Sequence, residues 1–155
     1  MRDEAGPHEQ QSARRRWMAV LARAEAAELS ALLDRHAVVP PYTRLRGPEA
    51  GLVMVRGRTG GGGAPFNLGE MTVTRCSVRM ESGQVGHAYV AGRDARQAEL
   101  AAVLDAMLQD PSRAFELHAK VIEPLAEVQQ ARRAEIAAKA AATKVQFFAM
   151  RNMRS

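Results

Sequence analysis

The chain has 155 residues, which makes one domain the default and is long enough to bury about two thirds of its unfolded surface. Of its residues 46% are apolar but only 5% are aromatic, so much of the apolar count is alanine and helix is expected ahead of a thick core. A single cysteine excludes an internal disulfide and Cys-rich zinc clusters. No run approaches the ~18 apolar residues of a membrane span, and the net charge of +5 favours anionic partners. With a charged start and no apolar signal core, the chain reads as soluble and cytoplasmic, with no membrane partner.

Residues 1–11 read as a disordered lead-in and 12–155 as a single domain. Ser12 can cap a helix from Ala13 to about Ala24, with Trp17, Val20 and Leu21 at helical spacing; Arg14, Arg15 and Arg16 read as its solvated first turn. Glu28 to His36 carries Leu29, Leu32 and Leu33 on one side and is ended by Pro40 and Pro41, completing a helix pair. Four strands are then expected: Tyr42–Arg46, bounded by Gly47 and Pro48; Leu52–Arg58; Met71–Met80; and Val85–Val90. In the third, Thr72, Thr74, Cys76, Val78 and Met80 share one face and Met71, Val73, Arg75, Ser77 and Arg79 the other. Short connections without intervening helices argue for an antiparallel meander. Asp94 with Gln97 three residues on resembles a capping box, and Leu100, Val103, Leu104, Met107 and Leu108 stripe the helix that follows. Asp110-Pro111 stops it, Ser112 restarts a helix, and Pro124 either kinks that helix or begins another. From Leu125 to about Met150 the chain is helical, alanine-rich and thinly striped. It ends in an apolar cluster, Val145, Phe147, Phe148 and Met150, which marks a candidate interface and possible self-association. The expected class is α+β: a four-stranded antiparallel sheet flanked by an N-terminal helix pair and C-terminal helices, the last one long.

No complete catalytic set stands out. The glycine loop, Gly60, Gly61, Gly62 and Gly63, lacks the Lys-Ser or Lys-Thr tail of a P-loop and leads into a strand where a nucleotide loop would lead into a helix. Cys76 is mid-strand, where a buried thiol is commonest, and His87 has no second histidine at metal-ligand spacing, so no metal site is signalled. Asp94 is explained as a cap, which leaves Glu70 unassigned. Arg56, Arg58, Arg75, Arg79 and Arg93 lie on or beside the sheet, where guanidinium groups can hold phosphates or a partner's acidic side chains. Arg56 and Arg58 share a face, and Arg75 joins them if the register allows. Aromatic platforms are not interleaved with them, which argues against RNA. The candidate partner or phosphate contacts are thus Arg56, Arg58, the four glycines, Glu70, Arg75, His87 and Arg93.

The segments RRRWMAVLARA, GLVMVRGRTGGGGAPFNLGEMTVTRCSVRM, GHAYVAGRD and ATKVQFFAMR, in this order, resemble the PhnG family, the G subunit of the bacterial carbon–phosphorus lyase complex. The resemblance covers nearly the whole chain after the first dozen residues. It implies a partner of the H, I and J subunits, which with the L protein serve the breakdown of organic phosphonates. In that system the G, H, I and L proteins make α-D-ribose 1-methylphosphonate 5-triphosphate from methylphosphonate and ATP, displacing adenine. The nucleosidase-like step is credited to the I subunit and the radical cleavage to the J subunit, so no catalytic residue and no bound cofactor carries over to this chain. The I-type subunit is the expected direct neighbour. The competing readings are a small enzyme using Cys76 or His87, and a free-standing basic nucleotide- or RNA-binding module.

Overall fold

Helices α1 (Pro7–Leu21) and α2 (Ala26–His36) are followed by strands β1 (Tyr42–Arg58), β2 (Pro65–Met80) and β3 (Val85–Ala91). Helices α3 (Ala95–Leu108), α4 (Pro111–Leu117) and α5 (Glu123–Ala142) complete the order. The structure, a computed structural model, describes residues 6–143.

The sheet has three strands, not four, in the order β1-β2-β3, with both pairings antiparallel. The segments expected as two strands, Tyr42–Arg46 and Leu52–Arg58, are the two ends of one 17-residue strand. Gly47 and Pro48 do not end it because β1 is an edge strand, where a proline without an N–H need not break the ladder. The pairing slips there instead. Arg44 and Arg46 face Val78 and Ser77, and Arg46 and Glu49 face Ser77 and Arg75, so two extra residues on β1 are absorbed as bulges.

The expected faces of β2 hold. Thr74, Cys76, Val78 and Met80 are buried towards the helices. α3 lies across that face, and nine of its 14 residues are buried, so it is enclosed almost all round rather than along one stripe. Alanine makes this possible: Ala98, Ala101, Ala102 and Ala106 let the helix approach its neighbours closely. The approach is tightest at Gly86 of β3, where a Cβ would sit 2.6 Å from the Ala106 amide nitrogen and collide with the Ala102 carbonyl. Leu21 of α1, Leu29 and Leu33 of α2, and Val121 and Ile122 close the core from the far side. Asp94 caps α3, accepting from the Gln97 N–H at 2.9 Å.

The start of α1 differs from expectation. α1 begins at Pro7 rather than Ala13, since proline at the first helical position gives up an N–H that has no helical acceptor. Ser12 therefore lies inside the helix, donating to the Glu9 carbonyl at 3.0 Å. At Pro124 the second expected alternative holds: α5 begins at Glu123 with Pro124 in its first turn, and a π turn, His118–Ile122, leads into it from α4. Asp110 ends α3 and caps α4, accepting from the Ser112 N–H at 2.9 Å.

One buried acid joins α1, α3 and β3. Asp105 has no solvent exposure, yet its carboxylate accepts from Arg14 Nε at 3.1 Å and Nη2 at 2.7 Å, from Trp17 Nε1 at 2.8 Å, and from the His87 backbone N–H at 2.9 Å. Arg14 is therefore not part of a solvated first turn. Four donors compensate the desolvation of one carboxylate, and removing it orphans all of them. Asp105→Ala is expected to lower stability by about 3 kcal/mol, the low end for a broken buried pair because Arg14 can regain water. Urea unfolding with an unchanged slope and a shifted midpoint would register it; a midpoint equal to wild type would contradict this account of the core.

Candidate functional site

β3 pairs with β2 only from Val73 to Arg79. Below that point β1 and β2 continue alone as a two-stranded arm, residues 51–58 against 65–72, paired down to Arg58–Pro65 with one extra β2 residue, Leu68, between the Val55–Gly69 and Arg56–Asn67 pairs. At about 3.3 Å per residue the arm is roughly 25 Å long. The glycine loop is its tip. Gly60 takes the left-handed conformation, with φ 61°, and closes a 3₁₀ turn, Thr59–Gly61. The amides of Gly62 and Gly63 both donate to the Thr59 carbonyl, which leaves neither for a phosphate.

Arg56 and Arg58 are exposed on β1 at the tip, opposite Asn67 and Pro65, and neither forms an ion pair with a described residue. Arg75 does not join them. The register sets it seven residues away, opposite Glu49, and on the other face; its Nε donates to Glu49 Oε1 at 3.0 Å, and Arg46 binds the same oxygen at 2.8 Å. Glu70 is exposed, opposite Met54 on the arm, and forms no ion pair with a described residue. Arg93 is exposed in the β3–α3 turn, far along the chain from the tip. The candidates thus separate into an arm group (Arg56, Arg58, Gly60–Gly63, Glu70) and a sheet group (Arg75, His87, Arg93). The C-terminal candidates Val145, Phe147, Phe148 and Met150 lie outside the described residues.

At the other end of β1 from the arm, where Tyr42 and Arg44 lie opposite Met80 and Val78, Glu99 of α3 accepts from Tyr42 Oη at 2.8 Å and from Arg44 Nε and Nη2, each at 2.8 Å. The bidentate Arg44 contact holds the Glu99 carboxyl below the usual carboxylate range, while burial pushes the Tyr42 hydroxyl up. This network fixes the start of β1 to the helical layer.

His87 lies on the exposed outer face of the sheet, its Nδ1 2.8 Å from Ser77 Oγ, the residue directly across the strand pair. Among the described residues no carboxylate holds the other ring nitrogen; a small pocket of about 220 Å³ between α1 and β3 has His87 in its lining, beside Met18, Ala22 and Tyr89, but not Ser77. A larger groove, about 1020 Å³ between α1 and the α3–α4 junction, is lined by polar residues such as Glu9, Gln11 and Arg16 together with Trp17, Leu108 and Pro111, and includes none of the sequence candidates. Among the described residues no three His, Cys, Asp or Glu side chains come together as a metal site, and no helix is long and apolar enough to cross a membrane.

What sequence reasoning missed is apolar. Leu52, Met54, Leu68, Phe66 and Met71 are all at least 42% exposed, and all are on the arm. The signal was present in the uninterrupted run Leu52-Val53-Met54-Val55, which suits a strand covered on both faces.

Cys76 is 2% exposed among core side chains, and its thiol donates to the Arg46 carbonyl at 3.5 Å. Burial pushes its pKa up, the opposite of what a nucleophilic cysteine needs. Cys76→Ala is expected to cost about 1 kcal/mol of packing and no activity in an assembled complex. Loss of turnover with an intact fold would contradict this placement.

Comparison with known proteins agrees with the resemblance read from the sequence. The family model described as "Phosphonate metabolism protein PhnG" matches residues 12–152. A relative from Rhizobium meliloti (strain 1021), named alpha-D-ribose 1-methylphosphonate 5-triphosphate synthase subunit PhnG, is 46% identical over 140 residues, covering 88% of this chain and 87% of the relative. By both comparisons, the chain belongs to the PhnG family.

Proposed function

We propose that this chain is a required, non-catalytic subunit of an α-D-ribose 1-methylphosphonate 5-triphosphate synthase acting in organic phosphonate catabolism in the cytoplasm. The observation that carries this reading is the 46% identity, over most of both chains, to a protein named as a subunit of that synthase. The site geometry supports the non-catalytic role. The one cysteine is buried and the exposed histidine has a serine neighbour but no orienting acid, which is no basis for nucleophilic or acid–base catalysis. The partners are the H, I, J and L subunits, and the I-type subunit is the direct neighbour. ATP is consumed by the complex, and this chain holds no cofactor of its own.

The tip of the arm supports docking over phosphate binding. Arg56 and Arg58 have no described ion-pair partner, whereas the amides of Gly62 and Gly63 are engaged within the turn. Acidic groups of the I-type subunit are the complement these arginines require. The double variant Arg56→Ala, Arg58→Ala is expected to weaken assembly by about tenfold or more, read by native mass spectrometry of the co-expressed subunits. Normal assembly with a raised ATP KM would instead place the arginines on the triphosphate, and normal values of both would remove them from the site.

A further inference from the structure

A strand with one solvated face alternates apolar and polar residues, whereas a strand covered on both faces is apolar throughout. Leu52-Val53-Met54-Val55 has the second pattern, yet it lies in the arm, beyond the reach of β3. Leu52 and Met54 continue the helix-side face of the sheet and are 64% and 54% exposed. Val53 and Met71, directly opposite each other on the other face, are 37% and 42% exposed. Leu68, an extra residue in β2, is 61% exposed and lies across Gly57, where a Cβ would be 2.5 Å from Leu68 Cδ1. An isolated two-stranded ribbon is at best marginally stable in water, and this one presents apolar side chains to water on both sides.

We infer that the arm is an anchor that enters a cleft in a neighbouring protein subunit of different sequence, with apolar walls against both faces and acidic groups at its deep end. This rests on the reading of the chain as a synthase subunit. The basic tip and the two apolar faces define the occupant. Arg56 and Arg58 lead the arm, and Glu70 is the only acid between residues 50 and 72, so the complement is negative at the tip and apolar along the walls. A second copy, with a net charge of +5 and the same basic tip, is a poor complement. A bilayer would strip water from backbone groups along both open edges without replacing their hydrogen bonds. RNA would need stacking platforms, and Phe66 is the arm's only aromatic residue.

Hydrogen–deuterium exchange tests this on the full chain, alone and within the co-expressed synthase complex. The amides of residues 51–58 and 66–72 are expected to exchange rapidly in the free chain and to slow by about a hundredfold or more, on both strands, in the complex. Two paired variants report each face separately: Leu52→Ser with Met54→Ser, and Val53→Ser with Met71→Ser. None of the four belongs to the core, so the free chain should melt as wild type, while each pair weakens assembly by about tenfold or more. Assembly with an unprotected arm, or full-strength assembly of either variant, overturns the anchor and leaves the functional reading standing. Protection that grows with concentration of the chain alone, or on adding anionic vesicles, assigns the arm to a second copy or a membrane and also overturns it. Failure of the wild-type chain to join the other subunits overturns the functional reading and this inference together.

Discussion

A carboxylate with no access to water holds this fold in register. Asp105 is in the last turn of the most buried helix, and its two oxygens collect donors from α1, through Arg14 and Trp17, and from the backbone of β3 at His87. A buried charge is tolerated only when its hydrogen-bonding capacity is filled, so the two elements must arrive together and in one orientation. Arg14 adds a bond from Nη2 to the Val85 carbonyl at 3.1 Å, which occupies the outer edge of β3 as well. The alanines of α3 and Gly86 bring the layers near enough for these contacts to form.

The same organisation divides the chain into a body and two projections. Burial on the sheet ends at Val73, and β1 and β2 go on without cover. On α5, Leu125 and Gln129 are buried, Gln129 donating to the Val20 carbonyl at 2.9 Å, and every described residue from 130 onward is exposed. Arg132, bonded to Glu28 at 2.9 Å, is the last described link from α5 to the rest of the body. The body thus carries enough core to fix its own geometry, while its two longest elements extend past that core. A protein built this way presents surfaces at a distance from its centre.

The helical half of this architecture was legible in the sequence. The Asp94 cap, the stripe from Leu100 to Leu108 and the inward face of β2 follow from spacing and residue type alone. The number of strands was not, because Gly47 and Pro48 are turn residues by local preference, and only the position of β1 at the sheet edge lets them sit inside a strand. Arg14 was misread for a related reason: three consecutive arginines look solvated until a buried acid 91 residues away claims one of them. Asp105 itself, an acid inside the apolar run AAVLDAML, was the available clue. Among the candidate contacts, the shared face of Arg56 and Arg58 follows from strand period, but their separation from Arg75 depends on a register that no local pattern specifies. The exposure of the arm could not be read, since an apolar strand announces that it will be covered, not by whom.

The account makes the chain necessary to a reaction that it does not itself perform, and omission with add-back measures that most directly. Adenine release from ATP in the presence of methylphosphonate would be followed in the synthase assembled without this chain, with it restored, and with the chain alone. The account predicts negligible release without the chain, recovery as it is added back up to its stoichiometric amount, and none from the chain alone at any concentration. Adenine release by the isolated chain, or full turnover by the synthase lacking it, would contradict it.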